Sequence, residues 1–282
     1  MILQNKVTIV TGGGRGIGKA IALRIAAEGA NMILLSRSPE QLRETEMEMR
    51  SHGFSVQVFA IDIGRHNSVQ EAVQRILDDY GTIDILINNA GIQGPIGQLV
   101  ESDIEQWIQT IHTNLIGTYL CSRLVLPTMM KHRSGKIINL AGGGATAPRK
   151  NFSAYASSKT AIVRFTETLA EEVREFGICV NAISPGAINT KMTEEVLEAG
   201  GRAGKAEFHE AQERLRNGGN SPNAAAELAL FLSCNESDGI TGKLISAIWD
   251  PWREKTFQDL LRSDRDIAAL RRIDDKTFYK KI

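Results

Sequence analysis

With 282 residues, three cysteines, and lysine plus arginine matching aspartate plus glutamate at 33 each, the chain can bury a full core without disulfides and carries no net positive field to hold nucleic acid. Cys121, Cys179 and Cys234 are scattered without a C-x-x-C pair, which argues against a disulfide framework and fits buried thiols in a reducing cytoplasm. The opening run MILQNKVTIV has no basic segment ahead of a long apolar one, and no apolar stretch reaches the ~20 residues that span a bilayer, so a soluble cytoplasmic protein without a membrane partner is expected.

Short β-branched runs alternate with longer amphipathic segments, the pattern of βαβ units feeding a parallel sheet. KVTIV is the first strand, followed by TGGGRGIG and a helix whose Ile17, Ile21 and Ile25 share a face and which stops near Gly29. The loop fits G-x-x-x-G-x-G, with Gly12, Gly16 and Gly18. Glycines there permit a tight turn, let the backbone approach phosphate oxygens and let helix pack closely on strand. A dinucleotide pyrophosphate would rest on the N-terminus of that helix, so this loop, with Arg15 and Ile17, is the first candidate cofactor contact. The second strand, NMILL, runs on into SRS. An NAD site places an acidic residue near the end of this strand to hold the ribose 2′-hydroxyl. Here Ser36 and Arg37 leave room and charge for a 2′-phosphate, and Arg15 could reach the same group, so NADP(H) is favoured over NAD(H).

A second helix starts near Pro39, SVQVFAI is the third strand, SVQEAVQRILDDYG a third helix and IDILIN the fourth strand. Residues 102 to about 131 read as mostly helical, with Pro127 expected to end or kink the helix. KIINL is the fifth strand. The next helix, from about Ser153 to Phe176, carries Tyr155 and Lys159 at i and i+4, facing the same way. A phenol of pKa about 10 must move by about three units to act as acid or base near neutrality, and one cation about 4 Å away in a partly screened site supplies the required ~4 kcal/mol, so Lys159 is expected to lower it. ICVNAI and GKLISAI complete seven strands, and between them Ser221 and Pro222 open another helix as N-cap and first residue. Two stretches break the rhythm: a charged, glycine-bearing insertion at about 191 to 220, and a polar tail beyond Asp250. Trp249 and Trp252 are too large to leave exposed without reason, and are expected to cover a substrate pocket or pack on a partner subunit. The five histidines lack metal-ligand spacing, and no metal is expected.

TGGGRGIG, NNAG at 88 to 91, the Tyr155–Lys159 pair and SPGAINT at 184 to 190 together resemble the short-chain dehydrogenase/reductase family in order and spacing over about residues 5 to 248. The resemblance implies an α/β fold: a single-domain Rossmann unit over residues 1–250, doubly wound, with about seven parallel strands and helices on both faces. The insertion at about 191–220 would then be a substrate loop and residues 251–282 a C-terminal extension. It further implies hydride transfer at nicotinamide, with Tyr155 as general acid/base, Lys159 also holding the ribose, and Asn114 ordering a proton-relay water. Asp62 and Ile63 would lie beside the adenine, and Asn89, Ala90 and Gly91 near the adenine ribose. Pro185, Gly186, Ile188 and Thr190 would meet the nicotinamide amide or the phosphates. A small-molecule substrate and a homodimer or homotetramer complete the expectation.

The chain departs from this pattern in one respect. The family's serine, thirteen residues before the tyrosine, hydrogen-bonds the substrate oxygen, and a gap-free count places Gly142 there. Removing one oriented donor of this kind costs about 10²- to 10³-fold in rate. Thr146 or Ser184 could supply a hydroxyl, the N–H groups of Gly142, Gly143 and Gly144 could form a nest, or the glycines could make room for a wide substrate. Arg149 and Lys150, with Arg202 and Lys205 in the insertion, are candidates to receive an anionic substrate group. The expected activity is interconversion of a carbonyl and a secondary alcohol. The alternatives are an epimerase or dehydratase that retains its cofactor, and a catalytically silent NADP-binding sensor or subunit.

Overall fold

Alternate side chains of a strand point to opposite faces. The central strands here carry aliphatic residues at nearly every position, so both faces must be covered. In the computed structural model, which describes residues 1–273, these residues form one parallel sheet of seven strands: β1 (Val7–Thr11), β2 (Asn31–Ser36), β3 (Val56–Ala60), β4 (Ile85–Asn88), β5 (Gly135–Leu140), β6 (Ile178–Ser184) and β7 (Leu244–Ser246), in the order β3-β2-β1-β4-β5-β6-β7. The helices are α1 (Gly16–Ala26), α2 (Pro39–Ser51), α3 (His66–Tyr80), α4 (Ile104–Ile111), α5 (Gly117–His132), α6 (Ser153–Glu172), α7 (Lys191–Ala199), α8 (Lys205–Asn217), α9 (Pro222–Ser233) and α10 (Lys255–Ser263). This is the expected doubly wound Rossmann fold.

The two faces carry separate cores. Val10, Met32 and Leu34 enter one slab with Ile21 and Ile25 of α1, Leu42 and Met49 of α2, and Leu228 and Phe231 of α9. Their strand neighbours Ile9, Ile33 and Leu35 enter the other, with Val69, Val73 and Ile76 of α3, Val125 and Met129 of α5, Leu169 of α6 and Val173 just beyond it. Ser221 caps its helix as read, accepting from the Asn223 N–H ahead of Pro222, and Ser38 likewise accepts from the Gln41 N–H ahead of Pro39. The three cysteines are buried and unpaired, and burial alone pushes the Cys121 thiol up to about 12. None of the described helices is long and apolar enough to cross a membrane.

Two expectations fail. Pro127 neither ends nor interrupts α5, which continues to His132. The break lies upstream, in a π-helical turn at His112–Ile116 that joins α4 to α5 and holds Asn114, and single π turns of this kind recur at functional sites. The two tryptophans also part company. Trp252 is 4% exposed, and its ring packs on Phe231 of its own chain with centroids 5.5 Å apart, so it covers neither the cleft nor another subunit. Trp249 is 71% exposed on this chain and does not line the cleft, which leaves packing on a partner subunit as the expectation for it. Tail residues 264 to 270 lie against α6 and β7. Lys243 donates to the carbonyls of Asp264 (2.6 Å) and Ile267 (2.9 Å), Glu167 accepts from the Leu270 N–H (2.6 Å), and the Leu244 N–H donates to Ala268 O (2.7 Å).

Chain order reverses between β1 and β4, and ligands of such sheets bind outside the carboxyl ends of the strands at that point. A cleft of about 530 Å³ opens there. A larger cavity of about 630 Å³ under the tail, among Arg164, Arg174, Arg262 and Arg271, contains none of the candidate site residues.

Candidate functional site

The phosphate end of the cleft is made by backbone. Gly12 and Gly16 adopt φ of +66° and +54°, left-handed values that favour glycine. A Cβ on Gly18 would lie 2.3 Å from Gly12 O, so close helix–strand packing demands glycine there too. Helix α1 has no side-chain cap and no acidic residue in its first turn, which leaves its first N–H groups for an anion. Asn89 clamps the turn from β4: its Nδ2 donates to Thr11 O (2.9 Å) and Gly12 O (3.2 Å). The backbone N–H groups of Asn89 and Ala90 both donate to Thr11 Oγ1 at 3.0 Å. The Asn89 amide is therefore spent on holding two strand ends together at the cleft wall. Thr11 was not singled out from sequence; its position as the last residue of the first strand was the available signal.

At the outer rim β2 ends in Ser36, with Arg37 just after it, and Arg15, Ser38 and Gln41 line the cleft beside them, without a carboxylate at the strand end. Asp62, Ile63, Ala90 and Gly91 form the adjoining wall. The Asp62 carboxylate accepts from the Gly64 N–H (2.9 Å). Pro185, Thr190 and, from α7, Lys191, Met192 and Glu194 close the other side. Gly186 and Ile188 support that side from behind: Gly186 turns at φ +87° against Ile248 and Asn220, and Ile188 is buried in a bridge to Gly219 and Asn220. These groups fit a dinucleotide. The left-handed turn at Gly12 and Gly16 brings backbone to the cleft, the helix end is uncapped, and Arg15 and Arg37 line the rim.

At the inner end Tyr155 and Lys159 line the cleft from one face of α6, and both are buried. Lys159 Nζ donates to Leu140 O at 2.7 Å and lies 5.7 Å from the centre of the Tyr155 ring. Burial lowers the Lys159 pKa to about 8. The phenol, contrary to the expected pull of Lys159, is raised: desolvation disfavours the phenolate, and the charge that opposes this is Arg149. Asn114 is fully enclosed. Its Oδ1 accepts from the Ile92 N–H (2.8 Å), and its Nδ2 donates to Ile92 O (2.9 Å) and Ser158 Oγ (2.9 Å). Its amide thus ties the strand-end loop to α6, behind Gly91 of the cleft wall.

The glycine turn explains why no serine stands at 142. A Cβ on Gly142 would lie 2.5 Å from Tyr155 Oη and 3.2 Å from Cζ, so the phenol itself occupies the space a side chain would need. Gly143, Gly144 and Thr146 do not line the cleft; Gly144 turns at φ +88° against Ala156, and Thr146 is exposed. Nor is Ser184 among the lining residues. Arg149, expected to meet a substrate anion, is bound to Glu207 of α8 by two hydrogen bonds of 2.8 Å, while Lys150, Arg202 and Lys205 are exposed. Glu207 and Ser158 were missed because their partners lie 58 and 44 residues away in sequence.

Residues 6–200 match the model of the family described as short chain dehydrogenase. The chain is 33% identical over 270 residues to an uncharacterized oxidoreductase of Bacillus subtilis (strain 168), a match covering 90% of this chain and 98% of that one. It is 34% identical over 246 residues to a 3-oxoacyl-acyl-carrier-protein reductase of Thermotoga maritima, covering 87% and 97%. Among solved structures, NAD+-bound xylitol dehydrogenase superposes with a TM-score of 0.82 at 27% identity, over 87% of this chain and 98% of the other. An actinorhodin polyketide ketoreductase with NADPH superposes with a TM-score of 0.80 at 30% identity, over 86% and 95%. A chain that shares nearly the whole length of such relatives, and that builds their kind of dinucleotide cradle, belongs to the short-chain dehydrogenase/reductase family and is an NAD(P)-dependent oxidoreductase.

Proposed function

We propose that the protein is an NADP(H)-dependent reductase that interconverts a carbonyl and a secondary alcohol, with Tyr155 as general acid/base. The observation that carries this reading is the pairing, in one cleft, of a buried Tyr155–Lys159 couple with a rim of Arg15, Ser36 and Arg37 that lacks the carboxylate of a 2′-hydroxyl site. When bound, the cofactor supplies or takes up the hydride equivalent. The chain's own part is proton chemistry. Burial keeps the Tyr155 phenol protonated at neutral pH, so in the reductive direction Oη donates to the substrate oxygen as negative charge develops there. The Lys159 ammonium, fixed by Leu140 O, stands close enough to offset the phenolate that results. Asn114 and Ser158 hold the floor against the loop at Ile92. Arg15 and Arg37 would take the 2′-phosphate in charge-assisted hydrogen bonds.

The helix pair α7–α8 is read as the substrate-side cover, since Lys191, Met192 and Glu194 line the cleft from it. A small-molecule substrate and a homo-oligomer belong to the same reading. The test is Tyr155→Phe assayed with NADPH on a panel of small ketones. Turnover should fall by about 10²- to 10⁴-fold, the scale of general acid/base catalysis, with NADPH affinity retained. Full activity in this variant overturns the mechanism. A wild-type protein that binds NADPH but turns over no ketone on the panel points instead to a silent cofactor-binding subunit.

A further inference from the structure

Arg149 precedes α6 and Glu207 lies on α8, yet the two form a side-by-side fork: Nε to Oε1 and Nη2 to Oε2, both 2.8 Å, with side chains only 15% and 26% exposed. The guanidinium also stacks on aromatic rings. Its central carbon is 3.8 Å from the centre of the Phe152 ring and 5.7 Å from that of Tyr155. Its Cβ supports the glycine turn, where a Cβ on Gly144 would lie 3.2 Å away. Phe152 is fully buried in a small core with Tyr155, Val196, Ala199, Ala203 and Ala211, which joins α6 to α7 and α8. Against the phenol stands Gly142, where a Cβ would lie 2.5 Å from Oη.

We propose that the Arg149–Glu207 pair positions the Tyr155 side chain and balances the charge it faces. The inference rests on Tyr155 being the acid/base. The charges around that ring are Lys159 from α6, Arg149 from the loop before it and, through Arg149, Glu207 from α8. The small core contributes only apolar groups from α7, Val196 and Ala199. A planar guanidinium flat on one ring and forked to a carboxylate has little freedom left, so it fixes the wall against which the tyrosine packs. It also favours phenolate, and Glu207 moderates that effect by neutralising it. Arg149 and Glu207 are thus positioning residues that act through Tyr155.

A purely structural latch and a charge balance differ in the sign of their responses. The whole chain is labelled with 3-fluorotyrosine and the Tyr155 signal, identified among the four tyrosines by its loss in Tyr155→Phe, is titrated by ¹⁹F NMR. Glu207→Gln leaves the guanidinium unbalanced and should lower the Tyr155 midpoint, whereas Arg149→Met should raise it, each by roughly one pH unit for a charge at this range in a partly screened site. Arg149→Lys keeps the charge but loses the fork. Its midpoint should stay near wild type, while kcat on a small ketone falls and KM for NADPH is unchanged. Shifts of the same sign in Glu207→Gln and Arg149→Met, or no shift in either, overturn the proposal. If Arg149→Met does not fold, Glu207→Gln and Arg149→Lys decide it alone. Because the titration needs no turnover, a Tyr155→Phe variant that remained active would defeat the acid/base reading separately.

Discussion

The phosphate end of the cleft is built by one βα turn and the strand beside it, with left-handed glycines, an uncapped helix and backbone carbonyls held by Asn89. The reacting end is built by residues 114, 142, 149, 155, 158 and 207, drawn from two helices, a π turn and the loop between β5 and α6. The first kind of geometry is local, and a short motif specifies it. The second exists only when distant elements are correctly packed, so single substitutions there should change chemistry while leaving the cofactor in place. Four experiments can break or sharpen this contrast.

The largest effect is expected at Gly18. An alanine Cβ would meet Gly12 O, a backbone atom that cannot swing aside, so Gly18→Ala should weaken NADPH by about 10²-fold, ~2.7 kcal/mol, in calorimetry. Near-normal affinity would show the turn to be more pliable than its contacts suggest. At the other end Gly142→Ala should leave NADPH affinity within about twofold but cut turnover of a small ketone by about tenfold or more, because the new methyl displaces Tyr155 Oη. Gly142→Ser should fare no better, although it restores the hydroxyl that the family pattern contains. A rate increase in that variant would mean the tyrosine has another place to sit.

Arg37→Ala should narrow the preference for NADPH over NADH by about tenfold, ~1.4 kcal/mol, with NADH affinity unchanged; equal losses for both cofactors would remove the 2′-phosphate reading. The smallest effect is a pH dependence. Lys159 is depressed from 10.5 to about 8, so the folded protein binds its proton more weakly than the unfolded chain. The cost of burying the ammonium is therefore fully present below about pH 8 and is relieved as pH rises from there toward 10.5. Reductive turnover should decline above pH 8 as the ammonium is lost, and Lys159→Met should flatten both this limb and the alkaline gain in stability, measured by denaturant midpoints.

What was legible in the sequence follows the same division. Strands and helices showed because two covered faces demand unbroken aliphatic runs in β1 and β2, and each core demands an i, i+4 stripe in α1 and α3. The glycine turn and the Tyr155–Lys159 pair showed because each lies within a few residues. Pro127 misled because a proline removes only one rung of a helix, and the packing of Val125 and Met129 into the core carries α5 across it. Trp252 misled because its partner, Phe231, is twenty-one residues upstream on α9. The expected effect of Lys159 on Tyr155 failed because burial is absent from a Coulomb estimate, and here burial dominates. The Arg149–Glu207 pair could not be found by spacing at all.

The last strand of a sheet ordinarily presents a row of unpaired N–H and C=O groups, a template on which another chain can add a strand. In this protein the outward N–H of Leu244 is already taken by Ala268, and the buried ammonium of Lys243 grips the same segment by two carbonyls. The tail therefore acts as a selvedge that finishes the β7 border of the sheet, and a shortened chain ending before Asp264 would present a raw edge, with self-association through strand pairing as its characteristic failure.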